Sequence, residues 1–262
     1  MLFRSFGRQD SPRYSPRVRL VEVFVNDEYH GIYQMSERVD RFLLGFERSE
    51  AGSRRRSVIY KAQHSDARFW RFVKWAYVQV EPNPRDGEYW KPLEEFIKLI
   101  GTPDVERFRS GIEHALDVST YIDFHILVNV LGNKEGIRFN LFLARGDGDE
   151  SRFVLVPWDY DKSLYGGHRE WLTNSLFRRL GRDLPGFAAR FAARWWELRE
   201  RELSEERVEQ RIDEIEGQLR ESVEREYARW PRGSGDHGRA VKEIRDWLRE
   251  RLRFLDEAIG RP

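Results

Sequence analysis

Hydrophobic and polar residues alternate on both sides of "NDEYHG" in "RLVEVFVNDEYHGIYQMSE", a period of two that predicts two antiparallel strands joined by a short turn. "SVIYKAQ" and "WAYVQVEP" predict two further short strands. In "EYWKPLEEFIKLIG" the period lengthens: Trp90, Leu93, Phe96, Ile97 and Ile100 recur at helical intervals and the run stops at Gly101. The first third thus reads as a small, mostly β lobe. From Asp117, a good N-cap, "VSTYIDFHILVNVLG" is apolar almost all round and ends at Gly132, as expected of a helix buried in a larger core. Leu141 to Ala144 and Phe153 to Val156 then read as a hairpin turning through Gly and Asp residues. Beyond Gly167, "WLTNSLFRRLG", "LPGFAARFAARWWELRERELS", "ERVEQRIDEIEGQLRESVEREYARW" and "GRAVKEIRDWLRERLRFLDEAI" carry helical apolar spacing on charged surfaces. Residues 1 to 17, rich in Arg, Ser and Pro and without a period, read as a loose lead-in. The expected class is α+β, a β-rich lobe followed by an α-rich lobe with a hairpin at their junction.

Composition narrows the classes of function. The 262 residues suffice for one large domain or one two-lobed domain. Lys and Arg number 46 against 45 Asp and Glu, so no bulk field favours nucleic acid or a membrane surface as partner. The absence of Cys excludes disulfides, thiolate zinc sites and Cys nucleophiles. The N-terminus has no apolar signal-peptide core, and no uncharged apolar run approaches the roughly 20 residues a membrane span takes.

Candidate chemistry is oxygen-based. The chain has no G-x-S-x-G, H-E-x-x-H, P-loop or dinucleotide-binding glycine motif, and its six His are scattered without a ligand pair. Glu135 and Asn140 lie five apart after the buried helix. Asp159 and Asp161 follow a strand, two apart, and in extended geometry would point the same way. Together they offer one possible base and three hard oxygen ligands, a set that suits Mg²⁺ held partly by protein and partly by substrate phosphates. Eukaryotic-type protein kinases arrange a catalytic-loop acid, an Asn five residues later, a hairpin and a metal-binding Asp in the same order. The same residue types also serve as ordinary turn and cap residues. "GSRRRS" reads as a solvated loop, because no aromatic platform is interleaved with its charges. Most of the nine Trp are expected to fill the core.

Several ordered motifs carry a resemblance. "VEVFVNDEYHGIYQMSERVDRFLL", "VIYKA", "YIDFHILVNVLGNKEGIRFNLFLAR", "VPWDYDKSLYGG" and the helical tail through "REYARW" resemble successive motifs of the CotH (spore coat protein H) family of atypical protein kinases, over about residues 18 to 258. The resemblance implies a kinase-like two-lobed fold with a small β-rich N-lobe, residues 18–105, and a larger helical C-lobe, residues 106–262. It implies transfer of the ATP γ-phosphoryl group to Ser or Thr of a protein substrate, with Mg²⁺ or Mn²⁺ as cofactor. Asp159 matches the metal-binding Asp, Asn140 would be a second metal ligand, and Asp161 a ligand or brace. Lys61 would neutralise phosphate oxygens, oriented by Glu37, and Trp158 would pack. Family members are associated with spore coats and cell surfaces. Two departures stand out. Glu135 occupies a position where the family usually has Asp, and a displacement of about 1 Å can cost on the order of 10²-fold in rate. Family members also usually carry more sequence before "VEVFVN", which raises the expectation of an absent N-terminal region. The alternative these departures imply is a catalytically weak or inactive pseudokinase, a nucleotide-binding or scaffold protein of the coat or surface.

Overall fold

The computed structural model describes residues 2–7, 13–48, 56–164, 166–231 and 236–261; most of the "GSRRRS" loop lies outside them. The elements run α1 (Leu2–Ser5), β1 (Val18–Val25), β2 (Glu28–Ser36), α2 (Arg41–Leu44), β3 (Val58–Ala62), β4 (Tyr77–Glu81), α3 (Lys91–Gly101), α4 (Val105–Ala115), α5 (Val118–Leu131), β5 (Leu141–Arg145) and β6 (Val154–Pro157). Helices follow: α6 (Ser175–Asp183), α7 (Phe187–Arg199), α8 (Glu205–Leu219), α9 (Val223–Arg229) and α10 (His237–Ile259). The class is α+β, small antiparallel sheets with many helices. Among the described residues no helix is long and apolar enough to cross a membrane.

Strands β1 and β2 form the expected hairpin, and its turn is tighter than the sequence suggested. Asn26 and Asp27 both take left-handed backbone angles, φ 51° and 65°, so Val25 pairs directly with Glu28. Such a two-residue turn matches the twist of the flanking strands, and Asn and Asp tolerate it best after Gly. The hairpin stands apart from the other sheet and is gripped by α9. Arg225 forks onto Glu22, the Glu226 carboxylate accepts the Ile32 N–H at 2.7 Å, and the Trp230 indole N–H donates to the His30 carbonyl at 2.9 Å. This grip accounts for a correction: the stretch from Glu206 to Trp230, read as continuous helix, breaks after Leu219, which lets α9 turn onto the hairpin.

The second sheet has the order β4-β3-β5-β6. Alternate residues of β3 serve two cores. Val58, Tyr60 and Ala62 face the main one with α3 and α5, while Ile59 joins Val39, Leu44, Phe142, Ala144 and Val156 in a smaller one. Burial on both faces is why β5 and β6 read as unbroken apolar runs. The sheet joins strands from both sides of residues 105 and 106, since β5 pairs with β3 and β6 with β5.

The lead-in is likewise corrected where it is described. Phe3 and Phe6 are buried, Phe3 edge-on to Phe124, and Arg13 donates to the buried Asp123 at 2.6 Å. Two Phe among Arg, Ser and Pro make no period, so only packing shows their role. Helix α4 has no counterpart among the predicted elements; its buried residues, Phe108 and Ile112, are too few to reveal an apolar stripe.

Helix α5 runs from the expected cap to the expected stop. Asp117 Oδ1 accepts the Thr120 N–H at 2.9 Å, and Gly132 closes the helix at φ 63°. A Cβ at Gly132 would sit 2.8 Å from the Trp247 ring. Within α5, His125 is buried and stacks on Phe177 at 3.8 Å, and desolvation pushes its pKa down to about 3. Its folded value is depressed, so its contribution is present above the unfolded value near 6.5 and is lost as pH falls toward 3, with a slope of about 1.4 kcal/mol per pH unit. His125→Phe should flatten that part of the acid destabilisation. Urea melts at pH 7 and in the acid range check it, and an undiminished slope in the variant would rule His125 out as its source.

Candidate active site

The loop between α5 and β5 is built to hold two side chains against the end of the sheet. Asn133, just past the helix stop, accepts the N–H groups of Glu135 and Gly136 on its Oδ1, at 3.1 and 2.9 Å. This Asx turn aims Glu135 back over the sheet. Asn140 takes φ 57°, donates its backbone N–H to the Ala62 carbonyl at the end of β3, and accepts the Trp158 N–H at the end of β6. One residue thereby pins three strand ends. Its side-chain Nδ2 donates to Glu135 Oε2 at 3.1 Å, while Oδ1 has no hydrogen-bond partner among the described residues.

Asp159 and Asp161 come together by a different route from the one expected. The chain is not extended there: Asp159 is left-handed, φ 59°, and a turn follows. Tyr160 between them packs against the main core, so both carboxylates emerge on the solvent side, close enough for the charge of Asp161 to act on Asp159. Asp159 is exposed as a residue, yet crowding raises its pKa above the usual carboxylate range. The partial desolvation of its carboxylate acts first, then the charge and hydrogen bond of Asp161, with Glu135 adding to the rise and Lys61 opposing it. The Lys61 Nζ lies 5.8 Å from the Trp158 ring, which itself packs edge-on against Phe142.

Lys61, Glu135, Asn140, Asp159 and Asp161 are therefore gathered at one end of the sheet. Glu37 is not. Its carboxylate accepts the Arg17 N–H at 2.8 Å and faces Arg4 at 3.5 Å, and no ion pair joins it to Lys61. The base of the first hairpin claims it instead. Sequence reasoning missed Lys162, whose Nζ meets Glu135 Oε1 at 3.1 Å; a Lys in a polar turn carries no periodic signal. It also missed Asn133, although an Asn directly after a helix-stopping Gly is a turn signal.

The donor set is all oxygen. Among the described residues no three His, Asp or Glu side chains stand together as a metal cage. The arrangement fits a hard cation that takes one or two protein carboxylates and fills its shell with water and phosphate. Like-charged carboxylates, a carbonyl oxygen without a partner and a nearby ammonium are what such a cation and a polyphosphate would find complementary. A cavity of about 1020 Å³ lies elsewhere, between α8 and α10, and is lined by Leu131, Ile212 and Leu248. It contains none of these groups, and size alone does not make a site.

A family model described as CotH kinase protein matches residues 2–255. No curated protein matches the chain.

Proposed function

The chain belongs to the CotH kinase family, and from that membership we propose that it is an ATP- and divalent-metal-dependent protein kinase, moving the γ-phosphoryl group of ATP to a Ser or Thr hydroxyl of a protein. The observation that carries this reading is the meeting of Asn140, Asp159 and Lys61 at one end of the sheet, beside a carboxylate, Glu135. Under it, the four-stranded sheet and the first hairpin form the smaller lobe and the later helices the larger.

Asp159 and Asn140 Oδ1 would hold the cation, with Asp161 as a third ligand or as a brace beside Asp159. When bound, Mg²⁺ or Mn²⁺ supplies neutralisation of charge on the phosphate oxygens. Lys61 would bind the α- and β-phosphates as a point charge, steadied by Trp158 instead of by Glu37. Glu135 would accept the proton of the attacking hydroxyl, and its hydrogen bond from Asn140 ties the base to the metal ligand.

The experiment is phosphate transfer from γ-labelled ATP to protein hydroxyls, with Mg²⁺ or Mn²⁺. Lys61→Met is expected to weaken ATP binding, and Glu135→Ala to lower turnover by about 10²- to 10⁴-fold with binding retained. A second reading, a nucleotide-binding scaffold, is favoured by the Lys162 ion pair, which occupies one oxygen of the base. It expects ATP binding without transfer in the wild type and in Lys162→Met alike.

A further inference from the structure

A recess of about 440 Å³ opens beside the loop that carries Glu135 and Asn140, within the roughly 300–1,000 Å³ common for sites that take a small group. Its base is fixed. Phe69 and Ile137 are buried, and Asn174 donates to the Ile137 carbonyl at 3.1 Å while accepting from Tyr121 at 2.9 Å. The turn bearing Trp70 sits tight against α3, where a Cβ at Gly101 would stand 2.5 Å from the Trp70 carbonyl oxygen. Only glycine lets the two backbones approach so closely.

The rim is cationic. Among the described residues, Arg68, Arg138 and Arg178 line the recess and no carboxylate does. Arg68 shares its charge with Asp66 at 3.3 Å. The guanidinium groups of Arg138 and Arg178 have no hydrogen-bond or ion-pair partner among the described residues. Close to Arg178 both Arg179 and Arg182 hold Asp183. Arg19, Arg38 and Arg152 are exposed and unpaired among the described residues as well, but Arg138 and Arg178 share one recess. Unpaired guanidinium groups around a preformed, acid-free recess are complementary to an oxyanion carried in by another molecule.

We propose that this recess binds a phosphorylated residue of the protein substrate, so that proteins already bearing a phosphate near the accepted hydroxyl are acted on preferentially. The inference rests on the kinase reading above. Three guanidinium groups match the charge and oxygen count of a phosphate dianion better than those of one carboxylate. Trp70, half exposed, offers a flat apolar wall to the peptide chain. The nucleotide is the other source of phosphate, and the linings argue against it: neither Lys61, Asn140, Asp159 nor Asp161 borders the recess. Within one loop, Glu135 and Asn140 serve the metal side while Ile137 and Arg138 serve the recess.

The test uses the full chain without ATP and a fluorescent degenerate Ser-containing peptide library, with phosphoserine fixed at each neighbouring position in turn. The unphosphorylated library, inorganic phosphate and ATP are competitors. Wild type should prefer the phosphorylated library at one or more positions by about 10- to 100-fold, and the double variant Arg138→Ala, Arg178→Ala should lose that preference. Single Arg→Lys changes should retain part of it and show that loss in the double variant is not misfolding. No preference at any position in wild type overturns the proposal, even if transfer from ATP is robust. Loss of ATP affinity in the double variant, with phosphopeptide binding intact, assigns the recess to the nucleotide and overturns it too. Phosphopeptide preference in a chain that transfers no phosphate would leave the recess standing and remove the kinase reading.

Discussion

Asp159→Asn is expected to lower phosphoryl transfer by on the order of 10²- to 10³-fold, the loss typical of removing one preorganised charge-stabilising group. The substitution isolates chemistry from folding. Asp159 lies outside both cores, and Asn adopts its left-handed backbone, φ 59°, as readily as Asp does. The crowding that raises the Asp159 pKa is also relieved, so the metal-free melting temperature should hold or rise. Thermal melts provide the second readout. At about 100 times Kd, ATP with Mg²⁺ should stabilise the wild type by about 2.7 kcal/mol, a rise of about 5–11 °C for a chain of this size, and the variant should show little of it. Transfer that survives in Asp159→Asn would remove Asp159 from the site. A wild type that neither melts later with ATP nor transfers phosphate would leave the scaffold reading without its nucleotide.

Asp123→Ala should be the most destabilising single change among the polar residues considered. Asp123 has no exposed side-chain surface and accepts from Arg13 at 2.6 Å and from Arg194 at 2.7 and 3.1 Å. The network joins the first residues of the chain to α5 and α7 across more than a hundred positions. Removing one partner of a buried pair costs about 3–5 kcal/mol. The lower end applies here because Arg194 keeps Glu197 at 2.8 Å. At about 3 kcal/mol the melting temperature falls by roughly 6–12 °C. An unchanged melting temperature would mean that the N-terminal segment does not dock on α5 in solution.

The elements that were legible in the sequence share one property: their signals are local. Helix α5 announces itself by Asp117, an apolar run and Gly132, and each strand of the sheet by a short apolar stretch with turn residues on either side. The candidate acids were legible as spacing, Glu135 to Asn140 and Asp159 to Asp161, because a loop of fixed length and a turn keep neighbours near one another. The motif order carried more than the spacing did, and it led to the family that matches residues 2–255.

What the spacing could not contain is which distant group each side chain meets. Glu37 was expected to orient Lys61 and is held by Arg17 and Arg4. Asp159 and Asp161 converge through a left-handed turn with Tyr160 packed on the core between them. Arg138 and Arg178 look like any other arginines in a chain with 46 basic and 45 acidic residues; only the fold brings them to one recess without a carboxylate. By itself, then, the sequence determined the strands, α3, α5 and the helical character of the last third, the α+β class and the family, but not α1, α4 or the break between α8 and α9, since the first group follows from short-range periodicity and motif succession. The tertiary structure alone decided the β5–β3 pairing, the docking of the first residues on α5, the partners of Glu37 and Glu135, and the unpaired arginines. Those depend on which surfaces close over one another across the chain, and burial, not spacing, selects them.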